Sequence, residues 1–156
     1  YGLETEYKIK DMWGYSTLNY SYYHPDGGQP ASSSVPGHKD VLLGFPAHKV
    51  TLNSHVNFWG PVKLNPSAIF MTEYYGYDWK PEVMQRVVKK LGPVTLLNLF
   101  VTYDKLFWDE FSLGAGVFNI LNADYRLAQP YQYGSHAPMP TASREVVVRV
   151  DYNLSF

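Results

Sequence analysis

Gly2-Leu3-Glu4-Thr5-Glu6-Tyr7-Lys8-Ile9-Lys10 sets Leu3, Thr5, Tyr7 and Ile9 against Glu4, Glu6, Lys8 and Lys10. Side chains alternate across an extended chain with a period of two, so this stretch reads as a β-strand with one apolar and one charged face. The pattern then repeats along the chain. Leu18, Tyr20 and Tyr22 oppose Thr17, Asn19 and Ser21, and Val50, Leu52, Val56 and Phe58 oppose Thr51, Asn53, His55 and Asn57. Leu64, Pro66, Ala68, Phe70, Thr72 and Tyr74 oppose Lys63, Asn65, Ser67 and Glu73, while Leu97, Leu99, Val101 and Tyr103 oppose Asn98 and Thr102. Phe111, Leu113, Ala115 and Val117 face away from Ser112, Gly114 and Gly116. Val146, Val148, Val150, Tyr152, Leu154 and Phe156 face away from Arg149, Asp151, Asn153 and Ser155.

The seven stretches cover residues 2–10, 15–23, 47–58, 62–75, 93–104, 110–119 and 144–156. Several approach the nine to eleven residues that a tilted strand needs to cross a bilayer. The connections alternate in length. Asp11–Gly14, Trp59–Pro61 and Lys105–Asp109 are short, whereas His24–Pro46, Gly76–Gly92 and Ile120–Ser143 are long. Short turns on one side and long loops on the other are the habit of outer-membrane barrels. Trp13, Trp59 and Trp108 fall at the short turns, and Phe156 ends the chain. Tyr22, Tyr23, Tyr74, Tyr75, Tyr77 and Trp79 fall on the long-loop side. Two aromatic belts flanking an apolar band are what two membrane–water interfaces select. Pro66 and the Gly114/Gly116 pair are poor strand formers, and predict bulges or a close approach of another backbone.

Composition narrows the alternatives. The 156 residues include no cysteine, 13 Lys+Arg against 14 Asp+Glu, and 14 Tyr, 8 Phe and 4 Trp. A net charge of -1 lacks the basic footprint of a nucleic-acid binder. Without cysteine there is no disulfide framework, thiol nucleophile or thiolate zinc site. Disorder is excluded by the apolar content, and no run of about 18 apolar residues offers a membrane helix. The opening Tyr1-Gly2, with neither an initiator methionine nor a signal peptide, reads as the interior of a longer polypeptide.

Seven strands are an odd number, and an unpaired edge in hydrocarbon leaves backbone groups without partners at several kcal/mol each. The chain is therefore expected to be an incomplete transmembrane antiparallel β-barrel, all-β over residues 1–156, whose remainder lies elsewhere in the same or another chain.

Candidate chemistry is sparse. Glu4, Glu6, Lys8 and Lys10, like Arg149 and Asp151, belong to the lumen, as a solvated wall or as contacts to a plug. His24, His38, His48, His55 and His136 lack the spacing that sets two imidazoles on one face, so no metal site is expected. No arrangement resembles a hydrolytic triad, so no enzyme and no cofactor are expected. His24–Pro46 reads as a flexible surface loop, and Lys80–Lys90 as a short helix with Pro81 in its first turn. Arg86, Lys89 and Lys90 would be its basic face, toward lipopolysaccharide or an anionic ligand. Tyr75, Tyr77, Trp79, Tyr131 and Tyr133 are the candidate ligand-stacking residues of an outer mouth. Interface anchoring accounts equally for the first three.

Val117-Phe118-Asn119-Ile120-Leu121-Asn122-Ala123-Asp124-Tyr125-Arg126 resembles the penultimate-strand signature of TonB-dependent outer-membrane receptors, hydrophobic-x-Asn-Leu-Phe-Asp-x-x-Tyr-Arg, with Leu121 in place of the usual Phe. Gly2-Leu3-Glu4-Thr5-Glu6-Tyr7, Pro46-Ala47-His48-Lys49-Val50-Thr51-Leu52 and Thr95-Leu96-Leu97-Asn98-Leu99 are similar to other strand motifs of that family. Tyr152, Leu154 and Phe156 resemble its terminal signal for the barrel-assembly machinery, with Asp151 where glycine is common. Asn119, Tyr125 and Arg126 carry the central motif.

The resemblance implies a barrel of about 22 strands around a plug. These seven would be the last, with the C-terminus in the periplasm of a bacterium and with neither plug nor TonB box in this stretch. It also implies partners: the rest of the barrel and plug, TonB through that absent region, lipids or lipopolysaccharide, and a small-molecule ligand. The ligand would be a scarce nutrient, first a ferric siderophore and otherwise haem, cobalamin or a carbohydrate. Two other readings stay open from the residues: a small subunit completing a split barrel as a structural element or passive channel, and a soluble lipid-binding β-barrel.

Overall fold

The computed structural model describes residues 1–156 except 29, 31, 81, 83, 130–136 and 154–156. In chain order the first strands are β1 (Gly2–Asp11), β2 (Gly14–Tyr23), β3 (Ser34–Val35), β4 (His38–Leu42), β5 (His48–Trp59) and β6 (Val62–Met71). They are followed by β7 (Tyr74–Lys80), β8 (Gln85–Leu91), β9 (Val94–Tyr103), β10 (Phe111–Phe118), β11 (Arg126–Leu127), β12 (Met139–Pro140) and β13 (Glu145–Tyr152).

Seven of these form one antiparallel sheet in the order β1-β2-β5-β6-β9-β10-β13. Its strands are neighbours in sequence as well as in space, an up-and-down meander. The other six make three two-stranded hairpins, β3–β4, β7–β8 and β11–β12, one inside each long connection. Among the described residues β1 pairs only with β2 and β13 only with β10, so the sheet stays open at both edges.

Register carries the two-faced pattern across the whole sheet. Residues directly opposite in an antiparallel pair point to the same side. Tyr7 lies opposite Leu18, Leu18 opposite Leu52, Leu52 opposite Ala68 and Ala68 opposite Leu97. Further along, Leu99 lies opposite Val117 and Val117 opposite Val146. The adjacent row on the other side reads Lys8, Thr17, Asn53, Ser67 and Asn98. The apolar face is bare: Leu3 is 53% and Val148 67% exposed. An apolar surface of this extent is covered by lipid in a barrel wall, and the polar face then lines the interior.

Local departures are smaller than the sequence predicts. Pro66 stays in register opposite Leu99, and the shift between β5 and β6 falls instead at Asn57/Trp59, beside the short turn. Gly114 and Gly116 also hold register on both sides, with no bulge. The Phe100 side chain lies close over both, and the backbone carbonyl oxygen of Leu99 would come within 3.2 Å of a Cβ added at Gly116. The Phe100 ring covers the pair: a Cβ added at Gly114 would come within 2.6 Å of its Cζ and one at Gly116 within 2.3 Å of its Cδ2.

Two expectations are overturned in the long-loop region. The strand expected over 62–75 ends at Met71, and a new strand starts at Tyr74. Within Lys80–Lys90, expected as a short helix, the residues from Gln85 onward belong to the strand β8, paired with β7 from Tyr74↔Leu91 to Lys80↔Gln85. Helical propensity at Lys89 and Lys90 loses to the cross-strand partners that β7 supplies.

The deepest burial lies among the loops, not in the sheet. Val35, Leu43 and Tyr77 form a small core, with Val41, Tyr75 and Val88 packed on it. Leu43 is 0% exposed. The Gly44 N–H donates to the Tyr75 carbonyl at 2.7 Å, tying the first loop to the second. The Tyr74 hydroxyl donates to the Arg126 carbonyl, and Gly76 lies under Ala128, which tie the second loop to the third.

Candidate functional site

The long-loop end holds the sequence-predicted mouth residues, in three different environments. Tyr77 is inside the loop core beside Val35 and Leu43, so its role there is packing. Tyr75 is half-buried and lines a cavity of about 460 Å³ together with Tyr23, Phe45, Asp40, Glu73 and His48. Trp79 is 51% exposed near the tip of the β7–β8 hairpin. Tyr131, Tyr133 and His136 lie outside the described residues, as do Leu154 and Phe156 of the terminal signal. Tyr152 closes β13 on the apolar face, opposite Phe111. Trp13, Trp59 and Trp108 are exposed at the short-turn end.

Charge on the mouth is paired locally. Lys89 Nζ contacts Asp78 Oδ2 at 2.9 Å, and this hydrogen bond holds the Asp78 carboxyl below its ordinary range. Lys90 Nζ contacts Glu73 Oε1 at 2.6 Å, which holds the Lys90 ammonium above the usual lysine value. Burial pushes the Tyr74 hydroxyl up. The basic residues expected to face an anion are thus partly committed to carboxylates of their own hairpin and its base.

Asn119 is buried, and the motif around it is a structural joint. Its backbone takes a left-handed φ of 50°, which asparagine tolerates better than most residues. Its Oδ1 accepts the Ala123 N–H at 2.8 Å, and its Nδ2 donates to the Ala123 carbonyl at 3.0 Å and the Ala142 carbonyl at 3.5 Å. Asn98 Oδ1 accepts the Asn119 N–H at 2.8 Å. Asn122 Oδ1 accepts the Arg144 N–H at 3.0 Å, and the Tyr125 carbonyl accepts the Thr141 hydroxyl at 2.8 Å. The two ends of the third long loop are stitched together here. Asn119→Ala removes three side-chain hydrogen bonds and places alanine in a left-handed turn, at a cost on the order of 3 kcal/mol. Limited proteolysis of the folded protein should then cut within residues 120–143 well before wild type, while the strands stay protected.

On the interior face a row of contacts crosses the sheet. Tyr15 stacks on His55 at 5.5 Å, and His55 Nδ1 is 2.7 Å from Asn65 Oδ1. Asn65 Nδ2 donates to the Phe100 carbonyl at 3.4 Å. The Arg149 guanidinium lies 5.0 Å above the Phe100 ring and bonds Asp151 at 2.8 Å through Nε. The sequence reading missed Phe100. Its signal was the glycine pair on the neighbouring strand, which leaves room for one large ring. Lys8 and Glu6 pair at 2.8 Å on the same face, so part of the charged comb is satisfied within β1. His48 bonds the Tyr20 hydroxyl at 2.9 Å. No cluster of three metal-ligating side chains occurs among the described residues.

No protein-family model and no curated protein matches the chain. Solved structures do match. The pyoverdine receptor FpvA of Pseudomonas aeruginosa PAO1, bound to pyoverdine, matches 98% of the chain with a TM-score of 0.75 at 13% identity. FpvAI in complex with pyocin S2 matches 97% with a TM-score of 0.74 at 15% identity, and the siderophore receptor PiuA of Acinetobacter baumannii matches 97% with 0.70 at 14%. The chain spans 21%, 18% and 21% of the lengths of these three receptors. At such identities the likeness is one of fold. By fold, the chain is like a run of strands from an outer-membrane siderophore-receptor barrel, open at both edges.

Proposed function

We propose that the chain is part of the barrel of a TonB-dependent outer-membrane receptor that imports a scarce nutrient, in the first place a ferric siderophore. The observation that carries this is the two-faced sheet with all three long connections at one end. A lipid-facing wall, a polar interior and a built loop cap are the parts an importing receptor needs. The solved neighbours with siderophore or iron transport in their names add weight to iron as the cargo. In this reading the strands are the last of the barrel, a plug and TonB box lie upstream, and the C-terminus is periplasmic. Tyr152, Leu154 and Phe156 then present the assembly signal, and Tyr75 and Trp79 stand at the mouth. Tyr131 and Tyr133, outside the described residues, belong to the same proposed ligand-binding set.

The test uses the bacterium that carries the gene. Deleting the whole gene should abolish uptake of one radiolabelled ferric siderophore, and collapsing the proton-motive force should abolish it in the wild type. Tyr75→Ala with Trp79→Ala should weaken ligand binding about tenfold, the worth of one good aromatic contact or two weaker ones. Uptake that persists without the proton-motive force would replace the reading with a passive channel.

A further inference from the structure

The cavity beside Tyr75 lies between the first two long connections and straddles the rim of the sheet. Tyr23 ends a polar-face row opposite Gly2, whereas His48 lies opposite Tyr22 on the apolar side. Backbone contacts fix the strand ends beneath it. The Thr72 N–H donates to the His48 carbonyl at 3.0 Å and the Tyr23 N–H to the Ala47 carbonyl at 2.9 Å, while the His48 N–H donates to Thr72 Oγ1 at 3.1 Å. The loop side is anchored as well, because Val41 and Tyr75 pack on the core of Val35, Leu43 and Tyr77. Both supports hold the walls in place without a ligand, which lowers the cost of binding one.

Three rings line the cavity, those of Tyr23, Phe45 and Tyr75. Tyr23 and Phe45 meet at 6.2 Å between centroids, and Phe45 is still 52% exposed, so ring surface is left over for a ligand. The charged lining residues are Asp40 and Glu73, and no lysine or arginine lines the cavity. Glu73 is neutralised by Lys90 at 2.6 Å. The net charge of the site is therefore that of Asp40, which has no ion-pair partner among the described residues. A lone carboxylate beside aromatic faces draws a protonated amine or a guanidinium and repels an anion. A volume of about 460 Å³ is in the range of small-ligand sites.

We propose that this cavity receives a cationic arm, an ammonium or a guanidinium, carried by the imported molecule, and that Asp40 is the residue that selects it. The cargo is thereby narrowed to chelates with a basic side arm. This rests on the import reading above, in which Tyr75 already contacts the ligand. Tyr23 and Phe45 complete its ring surface, and Asp40 supplies the charge that the rings lack.

Phenethylammonium, 2-phenylethanol and phenylacetate share one ring and differ in charge. Each is titrated against the full-length protein in detergent by ligand-observed NMR. The ammonium should bind at least about fivefold more tightly than the alcohol, and the carboxylate most weakly. Asp40→Asn should bring the ammonium down to the level of the alcohol, and Phe45→Leu should weaken both. Equal affinity of the three probes, or a preference for the ammonium that survives Asp40→Asn, overturns the site. In the bacterium, Asp40→Asn should slow uptake of the radiolabelled ferric siderophore lost on gene deletion by at least about fivefold at limiting concentration. Unchanged uptake beside an intact fragment preference overturns the cargo assignment and leaves the import reading standing. If gene deletion costs no uptake, the import reading fails and the cargo assignment with it, while the fragment titration still reports on the cavity.

Discussion

Arginine at position 52 is expected to cripple insertion, and arginine at position 53 to be carried. Leu52 lies on the apolar face of a central strand, flanked by Leu18 and Ala68. Asn53 is its neighbour on the polar face, between Thr17 and Ser67. A cation placed against hydrocarbon near the middle of a barrel wall costs roughly 2–4 kcal/mol, while one facing a wet interior costs far less. Leu52→Arg should therefore lower the unfolding free energy of the full-length protein in bilayers by that amount and shrink the heat-modifiable fraction. Asn53→Arg should leave both close to wild type. If position 53 proved the more sensitive, the faces would be exchanged and the membrane assignment would fail.

Gly14→Ala is expected to be as severe, for a reason unrelated to lipid. Gly14 opens β2 with φ of 130°, and lies opposite both Asp11 and Val56. A Cβ there would overlap the His55 carbonyl oxygen and lie 2.9 Å from the carbonyl carbon. Both obstacles are backbone at the short-turn end of the β2–β5 ladder, so no rotamer change relieves them. Gly60 is the control: its φ is 53°, and nothing lies within 4 Å of an added Cβ. Gly60→Ala should cost only the left-handed penalty of ~1–2 kcal/mol. Gly14→Ala should exceed it clearly, and full-length protein carrying it should accumulate as unassembled chain. Equal effects at the two positions would overturn the close approach of β5 to Gly14.

What could be read from the sequence was what repeats. The wall strands appear within a residue or two of their observed ends, because alternation is imposed by two different solvents on two faces; the exceptions are the 62–75 stretch and the far end of the 144–156 stretch, where β13 ends at Tyr152 and residues 154–156 lie outside the described residues. The loops obey no such rule. Residues 85–91 carry Val87-Val88 and Lys89-Lys90 in adjacent pairs, which spoils a period of two, and their strand state depends on β7. Tyr74 and Tyr77 looked like interface anchors because their burial comes from neighbouring loops that no local pattern announces. The platform of Phe100 over Gly114 and Gly116 needed the register of β9 against β10 before the ring could meet the glycines. At the candidate mouth, residue types were legible but which faces shared a cavity was not. Tyr75 and Tyr77 are two apart in sequence, yet one lines open space and the other is enclosed.

The shared core of the loop cap also bears on how such a surface can change. Leu43 and Val35 come from the first long connection and Tyr77 and Val88 from the second, while the Arg126 carbonyl of the third receives the Tyr74 hydroxyl. The three loops are therefore not independent cassettes. A graft that exchanges one of them with a foreign counterpart strips its neighbours of their interior, so specificity is transferable only when adjoining loops travel as a set. Diversifying selection meets the same coupling: substitutions are freest at the exposed hairpin tip, near Trp79 and Met84, and most constrained at Leu43.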